Sequence, residues 1–407
     1  MSNYGVVNPV RQRKISGIAL FFIAVLALFW LALGMPLLVS SCRNDFLCYY
    51  IGGTLAREGR FAELYRPAVQ RQVQDAIAPG LQDPRPFVRP PWFALAVAPL
   101  TALPLEKAYA VWTAAWLAAL LAIWVWGARR FGEAALMVAA LFFPATVGIA
   151  YGQDCTGMLA VCCGGWMLLE RRRTFAGGLV LGLGLMKLHL LALLPVWFIL
   201  QRRWRMLAGF ITTGGAFLAA ALASVGTSGL RAYLHLLRYG QTELFGHSPD
   251  SMIDAYSVLV NSGVDSAIVR TALAVVVVGA AAGGLFRAPT WRALAIALTG
   301  SLLITPHAFA YDAAMLLLPV WLVLENSKRR LSRWGALALA NPLTFYFTAA
   351  HPPLRCIPAV ALLVFLGIMV TDRTRGEQPG EAGDYPSLGT AAIASISTAT
   401  SRGSFAA

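Results

Sequence analysis

The chain has 407 residues, 58% of them hydrophobic and only 13% charged, with a mean hydropathy of +0.64. A soluble domain carries about 25% charged residues, so a soluble globular enzyme is excluded. The net charge of +14 sits in short Arg clusters at the ends of apolar runs. Topology determinants look like this, and no basic face interleaved with aromatics accompanies them, so nucleic acid is not an expected partner.

Taken in chain order, Arg11, Arg13 and Lys14 place residues 1–14 in the cytoplasm by the positive-inside rule. The apolar run 15–40 exceeds the about 7–15 residues of a signal-peptide core. It reads as an uncleaved first helix, although Val39-Ser40-Ser41-Cys42 loosely resembles a lipoprotein cleavage site. An outer loop over 41–88 follows. Within it, Val69, Val73, Ala76 and Ile77 share one helical face, which predicts a helix lying on the membrane surface or packed on other loops. Residues 92–104 are too short to span and predict a half-inserted segment leading into a helix over 105–127. Spans over 134–150 and 156–170 lead to the basic triplet Arg171-Arg172-Arg173.

Residues 175–200 are apolar but bounded on both sides by cytoplasmic-type clusters, Arg171–Arg173 and Arg202-Arg203. Parity therefore predicts a hairpin of two short or broken helices, with Met186-Lys187-Leu188-His189 at its tip. A span over 205–225, a polar outer loop over 226–265, and helices over 266–286, 289–305, 308–325, 331–349 and 355–371 complete the pattern. The expectation is an all-α polytopic membrane protein with one transmembrane domain over 15–371. It would hold about ten to twelve transmembrane or half-membrane helices, with both termini cytoplasmic. The Gly-, Ser-, Thr- and Ala-rich tail over 372–407 reads as disordered. No internal repeat is visible, which counts against an inverted-repeat transporter.

This topology gathers the ionisable residues on the outer side. There it places Asp45, Tyr49 and Tyr50, then Gln153 and Asp154, then Lys187 and His189. His247, Asp254, Tyr256 and Asn261 follow from the long loop, and His307, Tyr311, Asp312 and Arg355 from the last turns. All five histidines fall on this side. A lysine inside an apolar segment costs about 2.5–3.5 kcal/mol on insertion scales, so Lys187 needs either a structural salt bridge or an anionic phosphate. Asp45 is either a solvated loop charge or a general base tuned by its surroundings. The plain reading of His307 is that it satisfies a helix end, and that of Arg355 is that it snorkels at the interface. Of the six cysteines, Cys155, Cys162 and Cys163 read as small packing residues, while Cys42 and Cys48 either pair in an exported loop or stay free. No carboxylate cluster calls for a metal, and no cofactor is expected.

A family resemblance runs through most of residues 40–325. Asp45-Phe-x-x-Tyr49-Tyr50, Gly53, Leu55, Gly59 and Leu64-Tyr65-x-Pro67 open it. Phe87-x-x-Pro90-Pro91-Trp92 with Pro99-Leu100 and Trp112 follow, then Gly152-Gln153, then the basic triplet with Gly178, Gly182 and Lys187. Ser257, Asn261 and Pro306-His307 close it. The order and spacing resemble the bacterial polyprenol-phosphate-mannose-dependent mannosyltransferases, glycosyltransferase family 87. Two departures are Arg89, where an aromatic would precede the Pro-Pro pair, and Asp154 after Gly-Gln.

The resemblance implies a GT-C fold. It also implies an inverting transfer of a hexose, mannose in the family, from a polyprenyl-phosphate-linked donor to a glycolipid or glycan acceptor at the outer face of the cytoplasmic membrane. The family's catalytic aspartate maps onto Asp45. Expected donor-phosphate ligands are Lys187, His307 and Arg355. Expected substrate contacts are Tyr49, Tyr50, Gln153, Asp154, His189, His247, Tyr256 and Asn261. The competing expectation is a lipid or solute transporter, for which the broken hairpin with Lys187 is the supporting feature.

Overall fold

The computed structural model describes residue 17 and residues 44–243, 249–305, 307–351 and 353–372. The expected first helix over 15–40 and the tail beyond 372 lie outside the described residues. Within them the chain is all α. Five helices are long and apolar enough to cross a membrane: Leu105–Phe131, Thr174–Leu191, Trp204–Arg238, Ala267–Leu285 and Leu354–Thr371.

The first outer loop is helical. α1 is Phe46–Arg57 and α2 is Pro67–Ile77, with Pro67 at the first helical position, where a missing N–H is harmless. α2 packs against neighbouring chain rather than lying free. Its buried face is Gln70, Val73 and Gln74, while Ala76 is exposed. Gln70 Nε2 donates to the carbonyls of Leu64 and Phe87, and its Oε1 accepts from Phe87 N at 2.9 Å. Gln74 treats Leu81, Asp83 and Arg85 in the same way, taking Arg85 N at 2.7 Å. These two amides satisfy the backbone of an extended segment that has no ladder partner.

The half-inserted segment is α3, Pro91–Val97, followed by a 3-10 stretch to Ala102. α4, Leu105–Phe131, stops at Gly132, whose φ is +97°. The expected span over 134–150 is two helices, α5 (Ala134–Leu141) and α6 (Phe143–Ala150), broken at Phe142 because Pro144 cannot donate to the turn before it. α7 is Cys155–Glu170.

The predicted hairpin is α8 (Thr174–Gly182), a 3-10 stretch over Leu183–Leu191 and α9 (Leu193–Leu200). Lys187 breaks it, with φ −124° and ψ 65°. α8 runs alongside the first turns of α10, Trp204–Glu243. A Cβ on Gly178 would collide with the Met206 carbonyl, and one on Gly209 with the Phe175 carbonyl, so these two backbones touch. Thr213 Oγ1 donates to Leu179 O at 2.8 Å. The start of α8 and the start of α10 therefore lie at one level, and the chain between them has gone out to Lys187 and returned.

α10 does not end at residue 225. It bends at Gly226 (φ +65°) and continues as helix to Glu243, so the first part of the expected 226–265 loop is helical. α11 (Ala255–Asn261), α12 (Ala267–Leu285) and α13 (Thr290–Ile304) follow. α14 (Leu317–Asn326) is entered through a 3-10 stretch over Ala310–Leu316. The expected 331–349 span is broken at Asn341, ahead of Pro342, into α15 (Arg330–Ala340) and α16 (Pro342–Tyr346). α17, Ile357–Thr371, closes the described chain.

One end of the bundle is tied by polar contacts among the basic clusters. Arg130 pairs with Glu170 and Glu325, both at 2.6 Å, joining the ends of α4, α7 and α14. Ser327 and Ser332 donate to Asp372 at 2.9 and 2.5 Å. Gln201 donates to the carbonyls of Leu285 and Ala288. The turns between α6 and α7, at the tip of the hairpin and before α14 meet at the opposite end.

Candidate active site

The site grows from five short segments that the fold brings to that opposite end. Asp45 stands immediately before α1. Its neighbour Asn44 does the work at the helix start: Asn44 Oδ1 accepts from Phe46 N at 3.0 Å, and its Nδ2 donates to Tyr109 Oη at 2.6 Å and Ala150 O at 3.2 Å. The Asp45 carboxylate is thereby left to face the site. Gly152 makes the turn between α6 and α7 with φ +70°, and a Cβ there would lie 2.5 Å from Asn44 Oδ1. Trp112 Nε1 holds the Gly152 carbonyl at 3.0 Å. Gln153 and Asp154 are presented by this turn.

A directed chain of hydrogen bonds links the segments. Arg89 Nη2 donates to Tyr49 Oη at 2.8 Å, Tyr49 Oη donates to Gln153 Oε1 at 2.7 Å, and Gln153 Nε2 donates to Asp45 Oδ2 at 2.7 Å. The Arg89 guanidinium lies over the rings of Tyr49 and Phe93. On the other oxygen, Asp45 Oδ1 pairs with Arg85 Nη1 at 3.1 Å.

Behind this chain lies a buried set of charges. Asp154 Oδ1 takes Arg89 Nη2 and Lys187 Nζ, both at 3.0 Å. Lys187 Nζ also reaches Asp312 Oδ1 at 2.7 Å and lies over the Tyr311 ring. Asp312 Oδ2 accepts from Phe309 N at 3.0 Å, which locks the turn that carries it. Lys187, Asp154 and Asp312 are almost wholly inaccessible, with side-chain exposures of 2%, 0% and 3%. Of the two options the sequence left for Lys187, the structure shows the salt bridge. Its charge is matched by two carboxylates from within the protein.

The expected site residues thus divide. Asp45, Tyr49, Gln153, Asp154 and Lys187 are brought together. His189 sits half-buried at the hairpin tip, and His307 is half-buried with its ring edge-on to Phe309 at 4.9 Å. Tyr50 turns to the other side of α1 and donates to Leu103 O at 2.7 Å. Arg355 forms an ion pair with Asp250, and Asn261 Nδ2 donates to the Asp250 carbonyl at 2.8 Å. Tyr256 Oη donates to Asp265 at 2.6 Å. These last residues belong to a separate cluster around the 249–265 loop. His247 lies outside the described residues. Cys48 is a free thiol whose Sγ contacts the Asp45 carbonyl at 2.8 Å, and Cys42 lies outside the described residues.

Sequence reasoning missed Arg85 altogether and assigned no role to Arg89 or Asp312. The signal for Arg85 was Pro84-Arg85-Pro86, a residue held extended by the proline after it. Among the described residues no group of three or more His, Cys, Asp or Glu side chains is arranged to hold a metal ion. The arrangement supplies a carboxylate beside a guanidinium at the accessible rim of a neutralised, rigid interior. That suits general-base chemistry next to an anion.

The model of glycosyltransferase family 87 matches residues 87–306, more than half of the 407-residue chain. No curated protein and no solved structure matches it. With an all-α membrane-spanning fold and this site at one end of it, the chain belongs to glycosyltransferase family 87 and is a membrane glycosyltransferase.

Proposed function

We propose that the chain transfers a hexosyl group, mannosyl by family resemblance, from a polyprenyl phosphate to a hydroxyl of a glycolipid or glycan. The reaction takes place at the outer face of the cytoplasmic membrane, with inversion and with Asp45 as the base. One observation carries this. Of the three carboxylates in the network, Asp154 and Asp312 are sealed against buried cations, whereas Asp45 is 23% exposed and its oxygens retain free lone pairs.

The chemistry balances around that carboxylate. The acceptor oxygen bonds to the anomeric carbon as the bond from that carbon to the phosphate oxygen breaks, through an oxocarbenium-like state. The acceptor proton passes to Asp45. The electron pair stays on the phosphate, which goes from a phosphodiester monoanion to a phosphomonoester dianion. Gln153 and Tyr49 fix the carboxylate's orientation, so little reorganisation is needed at the moment of reaction. The feature that favoured a transporter, a lysine at the hairpin tip, is accounted for by Asp154 and Asp312.

The test is transfer of label from polyprenyl-phosphate-mannose into the lipid and polymer fractions of membranes, comparing wild type with Asp45→Asn. Label with wild type alone supports the assignment. Equal label with both removes Asp45 from the mechanism, and no label with either redirects the donor to another lipid-linked sugar.

A further inference from the structure

Three cations approach the reacting region: Arg85, Arg89 and Lys187. Their side-chain exposures are 34%, 12% and 2%. Lys187 and Arg89 are held by Asp154 and Asp312 in a buried set whose charges cancel. The charge of each is already matched by a buried carboxylate, and giving up such a partner is strongly unfavourable. The Arg85–Asp45 pair is different. It is partly exposed on both sides, and such pairs exchange partners at little cost.

A second, independent observation concerns the Arg85 side chain itself. Its Nε–H is buried and has no acceptor among the described residues. Buried donors are nearly always paired, so this one is a donor awaiting an acceptor. The backbone beneath it is fixed, because Gln74 Oε1 takes Arg85 N at 2.7 Å and Gln70 Oε1 takes Phe87 N two residues on. The guanidinium can therefore exchange one anion for another on a stationary anchor. A guanidinium is also the group best matched to two oxygens of one phosphate.

We infer that Arg85 is the donor-phosphate ligand, and that binding of the lipid phosphate draws its guanidinium away from Asp45 and frees the base. This rests on the lipid-phosphate donor and the Asp45 base argued above. Asp45 and the phosphate compete for one cation. The resting site is neutral without substrate, and the phosphate, whose negative charge grows during transfer, meets a cation that has just been released to it.

The experiment uses the full chain in phosphatidylcholine nanodiscs and measures binding of farnesyl phosphate and of farnesol. Wild type is expected to prefer the phosphate. Arg85→Ala loses that preference by about ten- to hundredfold, the value of a charge-assisted hydrogen bond, and Arg85→Lys loses part of it. Asp45→Asn, which removes the competitor, binds farnesyl phosphate several-fold more tightly than wild type. Equal binding of farnesyl phosphate and farnesol by wild type overturns the lipid-phosphate donor and this inference with it. A wild-type preference that persists unchanged in Arg85→Ala overturns the inference alone. If Arg85→Ala does not fold, Asp45→Asn decides: a gain supports the competition and no gain refutes it. Displacement of farnesyl phosphate by phosphatidylglycerol in the disc would show a site for any anionic headgroup and would also overturn it.

Discussion

Two sets of charges meet at Gln153. One is Arg89, Asp154, Lys187 and Asp312, closed off from solvent. The other is Asp45 and Arg85, at the rim. Both contain an Arg–Asp pair and the distances are similar, 2.7–3.0 Å against 3.1 Å. Burial separates their roles. Inside, each charge depends on its partner, since removing one leaves another stranded in a medium that cannot solvate it. At the rim, water can stand in for a lost partner, so a pair can open and its members can do chemistry. Identity and spacing alone do not distinguish a structural aspartate from a reacting one.

That contrast can be broken most directly at the two aspartate positions. Asp45→Asn should lower the transfer rate by about 10²–10⁴-fold, the usual contribution of a general base, with an unchanged thermal unfolding midpoint in detergent. A large loss of stability would move Asp45 into the structural set. Lys187→Met should do the reverse. It strands Asp312 and leaves Asp154 with Arg89 alone, and should destabilise the protein by about 3–5 kcal/mol, read from thermal or denaturant unfolding. A stable, inactive Lys187→Met protein would return Lys187 to the catalytic set.

Intermediate effects test the supports. Gln74→Leu removes the acceptor of Arg85 N and the donor to two carbonyls. It should cost about 1–3 kcal/mol locally and lower kcat/KM through displacement of Arg85. Asp254, in the outer cluster, tests pH. Burial pushes its carboxyl up to about 7 from the ordinary value, although its Oδ1 accepts Ser257 N at 2.9 Å. A carboxyl raised on folding binds its proton more tightly in the native state. Stability is therefore fully present below the unfolded value of about 4 and is lost as pH rises towards 7. Asp254→Asn should abolish that slope between about pH 4 and 7. The smallest effect belongs to Arg355. Its pair with Asp250 is partly exposed, so a double-mutant cycle should give at most about 1 kcal/mol and transfer should change little.

Much of the helix pattern is legible in the chain itself. Basic clusters and parity locate the hairpin over 175–200 and put Lys187 at its tip, because charge at membrane ends and insertion cost are local properties of a sequence. The breaks at Phe142 and Asn341 are signalled by Pro144 and Pro342, yet both stretches read as continuous spans. Apolar runs hide helix ends when no polar residue marks them. The partner of Lys187 is not legible, because Asp312 is 125 residues away and nothing local announces it. Nor is Arg85. Its role comes from two glutamines on α2 whose spacing, Gln70 and Gln74, looks like an ordinary polar face. The family match over residues 87–306 begins after both members of the rim pair.

The order in which these charges occur along the chain has a consequence for biogenesis. Asp45 is followed by Arg85, then Arg89, Asp154, Lys187 and Asp312. Summed in that order, the charge of these six residues alternates between zero and a single unit and never accumulates. Within this set a growing chain inserting from its N-terminus therefore carries at most one uncompensated charge into the assembling bundle. The last such interval opens with Lys187 and closes only when Asp312 arrives. A chain halted between those two points leaves Arg89 and Lys187 sharing Asp154 alone, with one buried positive charge uncompensated.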